Sequence, residues 1–273
     1  MKICGPAVHG QIGDLVSNTV FCRAIKEIQP NCEFTFAIGN KYSKAKFLFE
    51  NNKFIDKIHI WDSYDDFPSK NDLNFIAREK FDIVFDPKIL HTRLDWFNYY
   101  HYCQEWTLMH NIPTASVLTP YLNPWYHKPK LEKIVTISAF PSTDESFSKS
   151  LSLDYWSKVC KYIRSKGYIP VEVGGKYSKD INGCEKPDLS LMDGCKFILN
   201  SKLHLTADCG LGWIAAGYQK NVLGFYTNSL PGMIHPWSHM PINPNAKYLF
   251  YKDIKNNVDL NEIYRIIDEK ITL

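Results

Sequence analysis

The sequence predicts an α/β protein made of two parallel-sheet halves. Three observations carry that expectation: strand-length apolar runs alternate with helical periodicity in the first part of the chain, a proline-rich stretch interrupts the pattern, and the alternation then restarts. Such alternation favours parallel strands joined by crossover helices, because each helix buries its apolar stripe on the sheet.

In the first half an amphipathic helix begins near Leu15, continues through Arg23-Ala24-Ile25-Lys26-Glu27-Ile28 and is stopped by Gln29-Pro30-Asn31. Glu33 to Ile38 follows as a strand. A helical segment near Ser43 to Glu50 leads to the strand Lys57-Ile58-His59-Ile60-Trp61, and Phe81-Asp82-Ile83-Val84-Phe85-Asp86 reads as a buried strand closed by Pro87. From Leu90 to Met109 an aromatic-rich helix is expected, its stripe serving as core. Thr119 to Pro129 carries three prolines without periodicity and reads as a linker, which divides the chain into residues 1–125 and 126–273.

The second half restarts with the strand Lys133 to Ser138, then a helix from Asp154 to Ser165 with Trp156, Val159 and Ile163 on one face, and a strand from Ile169 to Val173 that Gly174-Gly175 ends. A helix from Ser190 to Leu199 and a strand from Leu203 to Thr206 deliver a turn at Asp208, whose helix runs to Gly217. Val222 to Tyr226 is one more strand, and Asp259, with Glu262 three residues on, caps a terminal helix reaching Lys270.

Composition narrows the function. The 273 residues are 45% hydrophobic, enough for well-filled cores, and the net charge of +3 comes from 32 basic and 29 acidic residues without long blocks of one sign. A nucleic-acid partner is therefore not expected, while weak attraction to an anionic membrane surface is compatible with the charge. Eight cysteines without a CxxC pair give no sign of zinc or of a redox dithiol, and no metal is expected. The N-terminus lacks a long apolar run and no stretch approaches membrane-spanning length, which points to the cytosol.

Two turns carry the candidate chemistry. In Gly10-Gln11-Ile12-Gly13-Asp14-Leu15-Val16, Asp14 puts a carboxylate at the opening of a first βα turn, where it can accept a proton from a hydroxyl. In Thr206-Ala207-Asp208-Cys209-Gly210-Leu211-Gly212, glycines at a helix start let backbone amides approach an anion such as a diphosphate. The two turns are expected to face each other across a cleft. Each has a plainer explanation: Asp14 stabilises a helix N-terminus, and Asp208 caps a helix whose glycines permit close packing. Lys149, in the loop after the restarted strand, is placed to neutralise phosphate, and Ser138 at that strand's end can add a hydroxyl. Gly210-x-Gly212-x-x-Ala215 matches a dinucleotide fingerprint, but no Asp or Glu lies between Leu211 and Ala246, so no nicotinamide cofactor is expected. His9, His91, His101 and His110 have no partner of recognisable spacing and are not chosen as bases.

Taken together these stretches resemble the heptosyltransferases of glycosyltransferase family 9. The resemblance rests on Gly10 to Val16 followed by Arg23-Ala24-Ile25-Lys26 and Pro30, on Lys149 with Trp156 seven positions on, and on Asp208-Cys209-Gly210-Leu211-Gly212-Trp213-Ile214-Ala215-Ala216. It implies the GT-B architecture, two Rossmann-like domains across a cleft, and an inverting, metal-independent transfer of a sugar, ADP-heptose being the usual donor, to a lipopolysaccharide or other glycan acceptor. Residues 1–125 then form the acceptor side, with Asp14 as catalytic base and Gly13 in its loop. Residues 126–273 then bind the nucleotide sugar through Lys149, Asp208, Cys209, Gly210, Leu211 and Gly212, to which the strand-end position adds Ser138. The sequence departs from the family pattern at Trp213, where histidine is usual, and at Leu151-Ser152, where the family has Trp-Pro. An inactive nucleotide-sugar-binding module and a nucleotide-sugar epimerase are the other readings of the same residues.

Overall fold

Apolar strand runs become an all-parallel sheet in each half. A computed structural model of the chain describes residues 1–5, 11–62, 69–85, 107, 111–124, 131–141, 149–175, 178–227 and 240–272, which fall into two units, Met1–Asn123 and Pro124–Leu273. The expected aromatic helix (Thr107 apart), His9, Gly10, His91, His101, His110, Asp86, Pro87 and the linker residues 125–129 lie outside the described residues.

In the first unit the strands β1 (Lys2–Cys4), β2 (Glu33–Gly39), β3 (Lys57–Trp61) and β4 (Ile83–Val84) lie in the order β3-β2-β1-β4, all parallel. The single helix expected from Leu15 onward is two, α1 (Ile12–Ser17) and α2 (Thr19–Ile28). The break has a local cause: Ser17 Oγ and Asn18 Nδ2 both donate to the Asp14 carbonyl, at 2.8 and 2.7 Å, and so compete with the helical ladder. Asn40–Leu48 forms a 3₁₀ helix in place of the α-helix expected near Ser43 to Glu50. Its buried residues Tyr42, Ala45 and Leu48 recur every third position, the period of that tighter helix. The strand expected to be buried from Phe81 to Asp86 is shorter and more open, with Ile83 and Val84 each 40% exposed. Among the described residues β4 pairs only with β1, so it has a neighbour on one side alone.

The segment 111–124 is strapped back onto this unit. Arg23, 7% exposed, donates to the Val117 carbonyl at 2.8 Å and stacks over Phe54, Asn52 donates to the Tyr121 carbonyl at 2.7 Å, and the Tyr121 amide donates to Thr19 Oγ1 at 2.9 Å. The arginine that follows the Asp14 turn therefore has a structural task.

In the second unit β5 (Leu131–Ser138), β6 (Ile169–Glu172), β7 (Ser201–Ala207), β8 (Val222–Thr227) and β9 (Ala246–Tyr251) lie in the order β6-β5-β7-β8-β9, again all parallel. Helices α3 (Lys70–Glu79) in the first unit and α4 (Leu153–Ser165), α5 (Leu191–Asn200), α6 (Gly210–Gly217) and α7 (Leu260–Thr272) in the second complete the described elements. Ser152 caps α4 by accepting from the Tyr155 amide and Leu151 is 2% exposed, so both residues that depart from the family's Trp-Pro serve the helix entry. Asp259 caps α7 as expected, accepting from the Asn261 and Glu262 amides.

Trp156 is fully buried against Phe225, and its Nε1 donates to Ser150 Oγ at 3.0 Å. Replacing it by phenylalanine keeps an aromatic ring but removes the donor and leaves a void. Trp156→Phe is expected to lower stability by about 1–2 kcal/mol, read from the shift of a denaturant midpoint; an unchanged midpoint would contradict this packing role.

Candidate functional site

In an open parallel sheet, ligands bind beyond the carboxyl ends of the strands at the point where the strand order reverses. In the second unit that point lies between β5 and β7, which pair with Ser138 beside Thr206. The segments leaving these two strands carry Lys149 and Asp208. They meet: Lys149 Nζ lies 3.1 Å from Asp208 Oδ2, with side-chain exposures of 29% and 14%. Two candidates 59 residues apart in the chain thus form one ion pair at the reversal point.

Lys149 is held there by its neighbours. The Ser150 hydroxyl donates to the Ala139 carbonyl just beyond β5 and accepts from Trp156, which ties the start of α4 to the end of the strand. The seven-residue spacing between Lys149 and Trp156 has this physical basis.

Beyond Asp208, Cys209 takes the N-cap position of α6 with extended backbone, and Gly210, Leu211 and Gly212 form the helix's first turn. The first amides of a helix have no partner within it and attract anions. Gly212 has a packing duty as well, since a Cβ there would lie 2.9 Å from Thr206 Oγ1 and 3.0 Å from its methyl carbon. The close-packing explanation thus holds for Gly212. Trp213 is 6% exposed, so its side chain belongs to the interior.

Ser138 is fully buried beneath this turn. Its hydroxyl lies 2.8 Å from Thr206 Oγ1 and 3.1 Å from His204 Nε2, and it accepts from the Cys209 thiol at 3.4 Å. In the structure it supports the turn from below.

Glu172, at the end of β6, was not singled out in the sequence. Only 1% exposed, it accepts from the Ala139 amide at 3.2 Å and from the Gly174 amide and Ser178 hydroxyl, both at 2.9 Å. It thereby ties the exit of β5 to the loop after β6, where Gly175 has a φ of 64° that glycine adopts without strain. Burial pushes its carboxyl up to about 7, against the hydrogen bonds and the charge of Lys186, which favour the ion. The folded state therefore holds this proton more tightly than the unfolded chain, and its stabilising effect is lost as pH rises from about 4.5 through about 7. Relative to Glu172→Gln, the protein is expected to lose on the order of 3 kcal/mol over that interval. Parallel unfolding curves of the two proteins across the interval would overturn this.

In the first unit the order reverses between β1 and β4, and the chain leaving β1 enters α1 with Gly13 and Asp14. Gly13 is buried and Asp14 partly exposed. The Asp14 carboxylate accepts from the Gln11 amide, closing a reciprocal cap on the helix. Its helix-stabilising role is thus realised, at the sheet edge where ligands bind in this class of fold.

No protein-family model and no curated protein matches the sequence. Solved structures match its fold. A glycosyl transferase family 9 protein from Veillonella parvula is 15% identical, with a TM-score of 0.67 over 98% of this chain and 89% of that one. The E. coli heptosyltransferase WaaC with ADP is 10% identical, TM-score 0.67, covering 99% of this chain and 100% of that one. The E. coli ADP-heptose lps heptosyltransferase II is 11% identical, TM-score 0.69, covering 100% and 99%. The chain therefore has the two-sheet α/β fold of these glycosyltransferases along its whole length, which is the fold class expected from its sequence. Among the described residues no helix is long and apolar enough to cross a membrane.

Proposed function

We propose that the chain is a glycosyltransferase that moves a sugar, heptose by analogy, from a nucleoside-diphosphate donor to a hydroxyl of a glycan or lipopolysaccharide-type acceptor, with inversion and without a metal. The observation that carries this reading is the Lys149–Asp208 pair at the strand-order reversal beside the first turn of α6, in a fold shared end to end with heptosyltransferases, one of them solved with ADP.

The residues divide the chemistry as follows. The acceptor oxygen attacks the anomeric carbon while the bond from that carbon to the diphosphate oxygen breaks, and Asp14 takes the acceptor proton. Lys149 and the first-turn amides of α6 meet the charge that grows on the departing diphosphate. Asp208, Cys209, Gly210, Leu211 and Gly212 shape the donor side, with Ser138 beneath them. Asp208 holds the Lys149 ammonium in place until a ligand's phosphate shares it. A cytosolic location next to a membrane's inner face suits an acceptor of the lipopolysaccharide type.

Thermal-shift screening against ADP-, UDP-, GDP- and CMP-sugars tests the reading directly, since a ligand that binds only the folded state raises its melting temperature. Stabilisation by an ADP-sugar is expected. Stabilisation by another base alone would withdraw the heptose assignment, and stabilisation by none would withdraw the donor site.

A further inference from the structure

Beneath the donor turn runs a seam of polar side chains in a layer that is otherwise apolar. Ser201 on β7, Thr136 and Ser138 on β5, and His204 and Thr206 on β7 are all buried, at 0–3% exposure, and Thr136, Ser138, His204 and Thr206 share one face of the sheet. Their contacts are continuous: Ser201 Oγ to Thr136 Oγ1 at 3.0 Å, Thr136 Oγ1 to His204 Nδ1 at 3.0 Å, His204 Nε2 to Ser138 Oγ at 3.1 Å, and Ser138 Oγ to Thr206 Oγ1 at 2.8 Å.

The direction of the protons follows from the far end. Thr206 donates its only hydroxyl proton to the Ala207 carbonyl at 2.6 Å, so it accepts from Ser138. With its own proton committed, Ser138 must accept from His204, and Nε2 carries the hydrogen. Nδ1 then accepts from Thr136. At the near end the Ser201 hydroxyl donates to the Ile198 carbonyl at 3.0 Å, so the run of donated protons begins at Thr136. From Thr136 onward every proton points the same way, toward the residue before Asp208. Aligned chains of this kind polarise one another, and a break exposes buried groups without partners.

We propose that His204 is a positioning residue for the donor turn: as its Nε2–H tautomer it orders Ser138 and Thr206, and through them the seat of α6, so that the turn from Asp208 to Gly212 keeps the one shape that receives a nucleoside diphosphate. The inference rests on the donor site proposed above. The mechanical link is the contact between Thr206 and Gly212, where no side chain intervenes and a turned threonine would press on the first turn of α6. Burial, with the nearby Lys220 charge, holds the imidazole down to about 3, so the ring stays neutral and can serve as donor and acceptor at once.

The test measures ADP affinity by titration calorimetry, at a temperature where each variant is folded, together with ¹⁵N spectra of the imidazole. His204→Leu is expected to weaken ADP by about tenfold or more, the scale of a lost buried hydrogen bond. His204→Gln, whose carboxamide N–H can replace Nε2–H toward Ser138, is expected to restore most of the affinity. Thr206→Val keeps the shape beneath Gly212 and cuts the last link; it is expected to weaken ADP to a similar degree, and it decides the matter if His204→Leu does not fold. In the wild type, the Nε2–H signal is expected to persist at acid pH and to shift when ADP binds. Variants that melt earlier but bind ADP as the wild type does would overturn the positioning role and leave the donor site standing. A wild type that binds neither ADP nor UDP would remove both.

Discussion

Asp14→Asn is expected to leave donor affinity within about twofold while lowering the rate of transfer by about 10²- to 10⁴-fold, the range for loss of a general base. The substitution separates the helix cap, which the structure shows, from the proton transfer proposed above. Asparagine keeps a side-chain oxygen to accept from the Gln11 amide, so the cap on α1 survives, but it cannot take a proton from a sugar hydroxyl. Single-turnover transfer measured beside donor binding distinguishes the outcomes. Loss of transfer with intact binding supports the base; an unchanged rate would return Asp14 to helix capping alone.

Lys149→Ala is expected to weaken donor binding and transfer together, by about 10- to 100-fold each, because a charge-assisted phosphate contact acts in both ground and transition states. Part of that loss has a second origin. Asp208 is largely sheltered, at 14% side-chain exposure, and without Lys149 its carboxylate would face the incoming diphosphate as a like charge. The double variant Lys149→Ala with Asp208→Asn should therefore recover some affinity relative to Lys149→Ala alone, and a double-mutant cycle measures how much. Wild-type kinetics in Lys149→Ala would make the ion pair a structural tie with no part in binding.

Much of this arrangement was legible in the sequence where a local rule acts. The strand-to-helix turns at Asp14 and Asp208, the caps at Asp259 and the glycine pair after β6 follow from turn and capping chemistry, which short stretches of sequence state directly. The break at Asn18 was not, because it depends on two side chains competing for one carbonyl inside a continuous apolar pattern. Strand β9, Ala246–Tyr251, carries three aromatic residues but only one well-buried residue, Leu249, so no alternation announced it. The supporting shell was harder still. Glu172 and His204 look like ordinary strand residues, and their partners on and just beyond β5 lie 33 and 66–68 positions away, a distance only the register of β5 with its neighbours resolves.

Those two residues also give the second unit an unusual response to acid. Glu172 prefers to keep a proton that the unfolded chain would release between about 4.5 and about 7, whereas His204 refuses one that the unfolded chain would accept between about 6.5 and about 3. Between about 4.5 and about 6.5 the two preferences oppose each other, and their joint effect on folding flattens into a plateau. Removing either side chain would tilt that plateau, toward acid tolerance without the imidazole and toward alkaline tolerance without the carboxyl.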